Sequence, residues 1–258
     1  MGLVDTHCHL QSEKFADDLA AVLQRTSDAL DWAVVVGDGI EGSRAALELA
    51  EKYAALYAVV GVHPYESKDY DDAAEDLLRE WCELSDVVAL GEMGLDYYNE
   101  FTPRAEQRGP FERQLALACD IGRAVVIHNR DADADILAIL REYAGALPGC
   151  IMHCFGSDAA FAEACLELGF YISFAGNVTF PKAQSLRDAA RVVPMNRLLV
   201  ETDAPYLAPQ PQRGKRCEPG FVRFTAECLA ELKGLSLEDF AAATTRNAAA
   251  VYGIIQNR

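Results

Sequence analysis

The sequence predicts an α/β protein, a single-domain TIM-like (β/α)8 barrel with C-terminal helices that spans residues 1–258. Eight short apolar runs alternate with stretches of helical periodicity, which is typical of parallel strands connected by helices. Polar residues recur at the carboxyl end of almost every run, whereas a doubly wound open sheet would gather them at one crevice. With 51% hydrophobic residues, a chain of this length can bury a full core.

The predicted strands are short and apolar along most of their length, as strands buried on both faces are. The first is LVDTHCH at residues 3–9. The others are predicted at residues 31–37, 57–62, 86–92, 124–128, 149–153, 170–174 and 197–201.

Helical spacing of apolar residues fills the intervals between these strands. Within residues 13–30, for example, Phe15, Leu19 and Val22 fall on or near one face. Further helices are predicted at residues 43–53, 71–84, 132–143, 158–168 and 182–192, and a long helix that follows a loop at 93–103 ends near residue 120. Beyond the last strand, a Pro- and Gly-rich loop at 204–220 precedes two helices at 221–232 and 237–251.

Composition limits the partners of the chain. The formal net charge of −17 argues against a broad duplex-binding surface, since such surfaces are basic, but it allows a phosphate held in a metal pocket. No apolar run approaches the roughly 18 residues of a membrane span, and the N-terminus lacks signal-peptide features. The eight cysteines form no C-x-x-C pair and are expected to be reduced. We therefore expect a cytoplasmic protein with no membrane association and no obligate protein partner.

His7 and His9 are the first candidate metal ligands. Side chains two apart in an extended strand share a face, so both imidazoles point to the same side. An isolated H-x-H is more often a pair of solvent-facing histidines. The chain has only five histidines, however, and the other three also end apolar runs, at His63, His128 and His153. This distribution favours a metal site over unconnected surface histidines.

A barrel brings these strand ends to one rim. Four histidines and two carboxylates, Glu92 after the fourth strand and Asp203 after the eighth, suffice for two divalent ions. Glu92 is central enough to bridge them, and a buried carboxylate needs a cation or several donors. Asp203 has two interpretations, as a structural turn residue or as a metal ligand and general base. Its place beside the other candidate ligands favours the second. A histidine-rich shell of this kind suits Zn²⁺, Mn²⁺, Co²⁺ or Ni²⁺, whereas Mg²⁺ prefers more oxygen ligands. The sequence therefore leaves the identity of the metal undetermined.

Eight motifs surround these residues: DTHCHL, GVHPY, GEMGLDYY, VVIHNRDAD, MHCFGS, GFYISFAGNVTF, LLVETDAPYL and RGKRCEP. Together they span nearly the whole chain and resemble the TatD-like metal-dependent deoxyribonucleases of the amidohydrolase superfamily. The chain departs from the family pattern at Tyr65, where histidine is usual, and at Cys217, where asparagine is usual. Neither change removes a candidate ligand.

The resemblance implies a barrel that hydrolyses phosphodiester bonds of DNA, at the 3′ ends of single-stranded or frayed strands. The attacking water would be activated by two ions, with Asp203 as the base. The resemblance also implies two ligand sets, of which one is His7, His9, Glu92 and Asp203 and the other is Glu92, His128 and His153.

The sequence indicates substrate-binding residues less clearly than it indicates metal ligands. Arg130 can clamp a phosphate or form an ordinary ion pair at a helix start. Lys215 and Arg216 belong to the only dense basic cluster and suit a nucleic-acid backbone, although such loops are usually just solvated. Tyr97 can stack on a base or pack in the pocket wall. His63 is a candidate catalytic residue near the scissile phosphate, or a turn residue made rigid by the proline that follows.

Two other functions remain open. An amide or ester hydrolase, for example an aminoacyl-ester deacylase, would use the same site on a different bond. Neutralising Lys215 and Arg216 would weaken a nuclease in a salt-dependent manner and leave hydrolysis of a small neutral amide almost unchanged. A binding protein with a structural metal would have a coordinatively closed site and no turnover.

Overall fold

The computed structural model describes residues 2–99 and 101–255, so residue 100 and both ends of the predicted 1–258 domain lie outside the described residues. One sheet contains eight parallel strands in chain order. They are β1 (Val4–Cys8), β2 (Trp32–Val36), β3 (Leu56–Val60), β4 (Val87–Asp96), β5 (Ala124–Arg130), β6 (Cys150–Met152), β7 (Tyr171–Phe174) and β8 (Leu198–Val200). A bridge from Cys8 to Ala204 and a hydrogen bond from Asp203 N to His7 O (2.9 Å) join the two ends of the sheet. This nearly closed TIM-like barrel confirms the predicted fold class.

Helices connect successive strands and then extend the chain beyond β8. They are α1 (Leu19–Ala29), α2 (Ile40–Lys52), α3 (Asp72–Trp81), α4 (Arg104–Ile121), α5 (Asp133–Tyr143), α6 (Ala159–Glu167), α7 (Gln184–Val192), α8 (Val222–Lys233) and α9 (Leu237–Tyr252). α8 and α9 correspond to the predicted C-terminal helices. None of the helices in the described ranges combines the length and apolarity needed to pass through a bilayer.

Apolar side chains pack on both faces of the sheet. In β2, Ala33 belongs to the layer between the sheet and the helices, whereas Val34 faces a second, smaller cluster. That cluster includes Val251 and Tyr252 of α9, and the Tyr252 hydroxyl donates to the carbonyl of Thr6 at 3.0 Å. α9 therefore covers the amino-terminal end of the barrel, and the carboxyl ends of the strands stay available for a site.

The helix predicted at residues 13–30 is wrong over its first part. A 3-10 turn at Glu13–Phe15 comes first, and α1 begins only at Leu19. The reason is a tertiary contact: Phe15 is buried beneath the guanidinium of Arg216, which lies 4.5 Å from the ring centroid and pairs with Asp18. Local periodicity does not report a partner that is 198 residues away from Asp18 along the chain.

The loop predicted at residues 93–103 is wrong at its start, because β4 continues to Asp96. The added residues pair with β5 as far as Arg130. The register shifts between Leu90 and Met93, so the strand is irregular around Glu92. In the sequence, Glu92 is a charged residue at which the apolar run, and so the predicted strand, ends. In the barrel its side chain faces a polar cavity, and the strand continues beyond it.

Candidate metal centre

A cavity of about 1120 Å³ opens at the carboxyl ends of the strands. The candidate ligands that line it are His9, Glu92, His128, His153 and Asp203, and His63 lines it as well. His7 is 1% exposed, and its Nε2 lies 3.3 Å from Glu92 Oε2. The structure therefore brings together the histidines and carboxylates that the sequence assigned to one rim.

Glu92, in β4, is the centre of this cluster and is 3% exposed. Its Oε1 lies 2.7 Å from His128 Nδ1, 2.8 Å from His153 Nε2 and 3.6 Å from His63 Nε2. Burial alone would raise the pKa of Glu92, but the charge of His153 and the hydrogen bonds from His128 and His153 hold it well below its usual value. The carboxylate is therefore ionised in the folded protein.

The other oxygen of Glu92, Oε2, faces a second group of imidazoles. It lies 3.3 Å from His7 Nε2 and 4.0 Å from His9 Nε2, and these two nitrogens are 3.2 Å apart. Asp203 Oδ1 is 3.4 Å from His9 Nε2. Burial would lower the pKa of His9, yet the Asp203 carboxylate raises it to about 9. The two oxygens of one carboxylate thus face two different sets of potential ligands.

Hydrogen bonds behind the histidines determine which ring nitrogen faces the centre. His9 Nδ1 donates to the carbonyl of Val36 (2.8 Å), and His153 Nδ1 donates to Glu201 Oε1 (3.0 Å). When these rings are neutral, as they must be to bind a metal ion, the lone pair sits on Nε2, which lies 3.4 Å from Asp203 Oδ1 in His9 and 2.8 Å from Glu92 Oε1 in His153. Lone pairs that face carboxylate oxygens need a proton or a cation between them, and histidines backed in this way are typical of metal sites. The donor set fits divalent ions.

Three groups of described side chains bring their ligand atoms within 4.8 Å of one another. These groups are His7 with His9 and Glu92, His63 with Glu92 and His128, and His7 with His153 and Asp203. The first group matches part of one predicted ligand set. The third mixes residues that the family resemblance assigns to different ions, so the division of ligands between ions stays a prediction.

His63 follows β3 and presents a proton to the cavity. The backbone N–H of Tyr65 donates to His63 Nδ1 (3.1 Å), so the neutral ring carries its proton on Nε2. Burial, assisted by the nearby charge of His128, lowers the pKa of His63 to about 3, so the ring is neutral. It can therefore donate a hydrogen bond to a group in the cavity.

Asp5 is a site residue that the sequence did not single out. Its buried carboxylate accepts from Thr202 N (2.9 Å), from Thr202 Oγ1 and from His7 N (3.2 Å). These bonds fasten β1 to the segment that follows β8 and so place Asp203. The available signal was a carboxylate inside an apolar run, which is costly when unpaired.

Asp96, at the end of β4, was not predicted either. Its Oδ2 lies 3.0 Å from His128 Nε2, on the opposite side of the ring from Glu92. Burial would raise the pKa of Asp96, but hydrogen bonds from His128 and from the backbone of Asn99 hold it well below its usual value. Alternate residues of a strand share a face, so extending the fourth predicted strand would have placed Glu92 and Asp96 on one side.

Among the predicted substrate-binding residues, Arg130 lines the cavity, where its guanidinium lies 4.1 Å from the ring centroid of Tyr98. Tyr97 is not among the described lining residues. Its hydroxyl donates to Asp135 at 2.7 Å, and the guanidinium of Arg104 lies 4.5 Å from its ring. Packing, rather than stacking on a substrate, describes the contacts of Tyr97.

The basic loop lies to one side of the cavity. Arg216 pairs with Asp18 at 2.7 Å and with Glu218 at 3.1 Å, and Lys215 donates to Gln212 at 2.8 Å. In the described part of the chain, neither Lys215 nor Arg216 lines the cavity. The guanidinium of Arg216 is neutralised by the protein's own carboxylates, which local sequence patterns did not reveal.

Strand ends and the loops after the strands supply further lining residues that the sequence did not indicate. They are polar or aromatic: Asp38, Tyr65, Asn99, Phe101, Asn129, Asn177 and Tyr206. The described non-glycine residues with positive φ, between +43° and +57°, also all line the cavity: Asp131, Cys154, Asp203 and Leu207. Backbone strain of this kind is concentrated where function constrains the chain.

Known proteins resemble the chain along its whole length. The family model described as TatD related DNase matches residues 4–253. A metal-dependent hydrolase named YcfH, from Escherichia coli (strain K12), is 43% identical over 262 residues, which cover 100% of this chain and 98% of that protein. A protein named 3′-5′ ssDNA/RNA exonuclease TatD, from Enterobacter lignolyticus (strain SCF1), is 34% identical over 258 residues, which cover 98% of this chain and 99% of that protein.

A solved structure agrees with these relatives. The crystal structure of YjjV, a TatD homologue from Escherichia coli K12, matches this fold with a TM-score of 0.91 at 30% sequence identity and covers 98% of both chains. Fold, motifs and full-length sequence similarity therefore coincide. The chain belongs to the TatD family of metal-dependent hydrolases.

Proposed function

We propose that this chain hydrolyses phosphodiester bonds of DNA, at the 3′ ends of single-stranded or frayed strands, with two divalent ions per chain. The observation that carries the proposal is the division of the Glu92 carboxylate, whose oxygens face separate groups of imidazole nitrogens at 2.7–4.0 Å. A carboxylate divided in this way suits the bridge of a two-metal hydrolase. The ligands proposed are His7, His9, Glu92 and Asp203 for one ion, and Glu92, His128 and His153 for the other.

A nucleic-acid substrate is supported by the relatives, one of which is named as a 3′-5′ exonuclease of single-stranded DNA and RNA. The cavity, at about 1120 Å³, is large enough for a strand end, and Arg130 provides a phosphate-binding group at its wall. The net charge of −17 disfavours a long duplex. An accessible strand end is therefore the form of substrate that we propose.

Roles for the individual residues follow from their places at the cavity and their charges. Arg130 orients the phosphate, and His63 donates its Nε2–H to a phosphoryl oxygen. Burial would raise the pKa of Asp203, but the hydrogen bond from His9 holds it below its usual value. Asp203 is thus an ionised group that orients the attacking water and accepts its proton. When bound, divalent ions at this centre acidify water and stabilise charge on the attacking and leaving oxygens.

Replacing Glu92 with Gln tests the bridging role. The substitution keeps the size of the side chain and removes the charge that both ligand groups face. We expect bound metal to fall below two ions per chain and hydrolysis of 3′-labelled single-stranded DNA to drop by about 100-fold or more. Metal content is measured by mass spectrometry of the dialysed protein, and hydrolysis by gel electrophoresis.

Glu112→Gln is the matched control, because Glu112 pairs with Arg108 at 2.7 Å on α4, away from the cavity. This control should keep the metal content and activity of the wild type. Two bound ions and full activity in Glu92→Gln would contradict the bridging role. Full activity of the wild type with a single bound ion would contradict the two-ion part of the proposal.

An amide or ester hydrolase, such as an aminoacyl-ester deacylase, is the second candidate. It is favoured by the acidic cavity wall: Asp38, Asp131 and Asp133 line it, and Arg130 is the one Lys or Arg among its described lining residues. Such a wall attracts an ammonium group and repels a polyanion. A panel of 3′- and 5′-labelled single-stranded DNA, RNA and an aminoacyl ester, each with Mg²⁺, Mn²⁺ or Zn²⁺, separates the candidates. Turnover of the ester alone would select the second one.

A further inference from the structure

A chain of hydrogen bonds runs from the cavity wall to the back of His128. Asp96 is fully buried, and its Oδ2 accepts from the Tyr65 hydroxyl (2.7 Å) and lies 3.0 Å from His128 Nε2. Its Oδ1 accepts from the backbone N–H groups of Tyr98 (2.9 Å) and Asn99 (2.8 Å). Since a carboxylate has about four acceptor positions, every position on Asp96 is used.

The direction of each bond in this chain can be assigned. Asn99 Nδ2 donates to the Tyr65 hydroxyl oxygen, so the single proton of that hydroxyl goes to Asp96. An ionised Asp96 only accepts, so His128 donates from Nε2. When the ring of His128 is neutral, as metal binding requires, its lone pair is therefore on Nδ1, which lies 2.7 Å from Glu92 Oε1.

The groups that accept hydrogen bonds from the other candidate histidines are of a different kind. Val36 supplies a main-chain carbonyl to His9, and Glu201 supplies a carboxylate to His153. The carboxylate behind His128 is itself held by the side chain of Tyr65, which lines the cavity. Only this histidine, among the described candidate ligands, is connected through its backing group to a cavity-wall hydroxyl.

We propose that Tyr65 and Asp96 are positioning residues for His128, and that together they hold its ring with Nδ1 towards Glu92 Oε1 and so retain the ion on that side of the centre. This inference rests on the two-ion site of the proposed function. Tyr65 acts through Asp96 and does not depend on contact with the substrate. Without the hydroxyl, Asp96 loses one of its two side-chain donors, and the ring of His128 is held less firmly.

Tyr65→Phe removes only the hydroxyl and tests this role. We expect its affinity for one of the two ions to fall by about 10-fold to 100-fold, with the affinity for the other unchanged. The turnover number for a 3′-labelled oligonucleotide should then be low at limiting Mn²⁺ and recover at saturating Mn²⁺, while KM stays within about twofold. Calorimetric titration of the metal-free protein with Mn²⁺ measures both affinities.

Tyr70→Phe is the matched control, because the Tyr70 hydroxyl donates to Glu75 at 3.1 Å outside the cavity lining. It should bind both ions as the wild type does. Asp96→Asn, which keeps the shape and removes the charge behind His128, should show the same selective loss as Tyr65→Phe. Circular dichroism melting curves establish that each variant is folded.

The outcomes separate this inference from the proposed function. A wild type that binds fewer than two ions contradicts the proposed function, and the inference with it. A wild type with two ions, together with unchanged affinities in both Tyr65→Phe and Asp96→Asn, overturns the inference alone. A raised KM with unchanged metal affinity in Tyr65→Phe also overturns it, because the hydroxyl would then be a substrate contact.

Discussion

At the scale of single residues, buried carboxylates hold the candidate ligands in place through hydrogen bonds. Asp5 accepts from three donors and joins the backbone of His7 to the segment after β8. Asp96 and Glu201 instead contact the imidazole rings themselves, Asp96 at His128 Nε2 and Glu201 at His153 Nδ1. Such carboxylates orient imidazoles and raise their basicity, so their removal affects both folding and metal affinity.

Asp5→Ala should therefore destabilise the fold strongly. Three buried donors, two on Thr202 and one on His7, lose their acceptor. At about 1–3 kcal/mol for each unsatisfied group, we expect the free energy of unfolding to fall by about 3 kcal/mol or more. Urea denaturation of the metal-free protein measures this loss.

Asp71→Ala serves as the comparison, because Asp71 accepts from Ala74 N (2.9 Å) as the N-cap of α3. The loss of a cap costs about 1 kcal/mol and should leave metal binding intact. If Asp5→Ala also cost only about 1 kcal/mol, other contacts would be holding the Thr202 segment.

At the scale of elements, α9 fills a role that the seven segments connecting the eight strands leave open. Val251 and Tyr252 pack against the apolar residues that begin the strands, and Val251 lies so close to Gly149 that a Cβ there would meet its Cγ2 at 2.8 Å. The Tyr252 hydroxyl satisfies the buried carbonyl of Thr6. The helix thus closes the end of the barrel opposite the cavity.

Tyr252→Ala and Tyr252→Phe separate the two contributions of this side chain. Removing the buried ring should cost about 3–5 kcal/mol of unfolding free energy, as for other buried aromatic residues. Removing only the hydroxyl should cost about 1 kcal/mol. Thermal and urea unfolding measure both, and below its melting temperature each variant should bind metal normally. Loss of metal from folded Tyr252→Phe would show that α9 affects the site directly.

The sequence predicts these elements where local patterns decide the structure. Apolar runs indicated all eight strands, and polar strand ends indicated the rim that gathers His7, Glu92 and His153. Contacts between distant segments were not predictable in this way. The turn at Phe15 depends on Arg216, and the role of Asp96 depends on a strand that continues beyond the apolar run. Likewise, the groups that accept hydrogen bonds from the histidines come from other segments of the chain, which the closed barrel brings together.

At the scale of the whole molecule, a net charge of −17 opposes the approach of a polyanion. Arg25 and Arg216 share the carboxylates of Asp18 and Glu218, so these cations are already neutralised. Arg130 is the one Lys or Arg among the described residues that line the cavity. In the proposed function, attraction for a phosphate therefore comes chiefly from the metal centre.

This charge distribution predicts a weak salt dependence for binding of single-stranded DNA. Each phosphate neutralised by a cationic side chain contributes about −0.7 to the slope of log affinity against log salt, so we expect a slope no steeper than about −2. Arg130→Gln should make the slope shallower by about 0.7, while Lys215→Gln should not change it. Fluorescence anisotropy at several salt concentrations measures the slope. A slope near −5 would require a basic surface elsewhere on the protein.

The closure of one barrel end by α9 has a consequence for the opposite end. The cavity mouth carries exposed aromatic side chains, Phe101 at 73% and Tyr206 at 48% exposure, which bury little apolar surface. Randomising these positions should therefore yield mostly folded variants, since surface changes cost little. New substrate preferences can arise there by exchange of loop residues while the scaffold stays constant, which makes this chain a tolerant starting point for directed evolution.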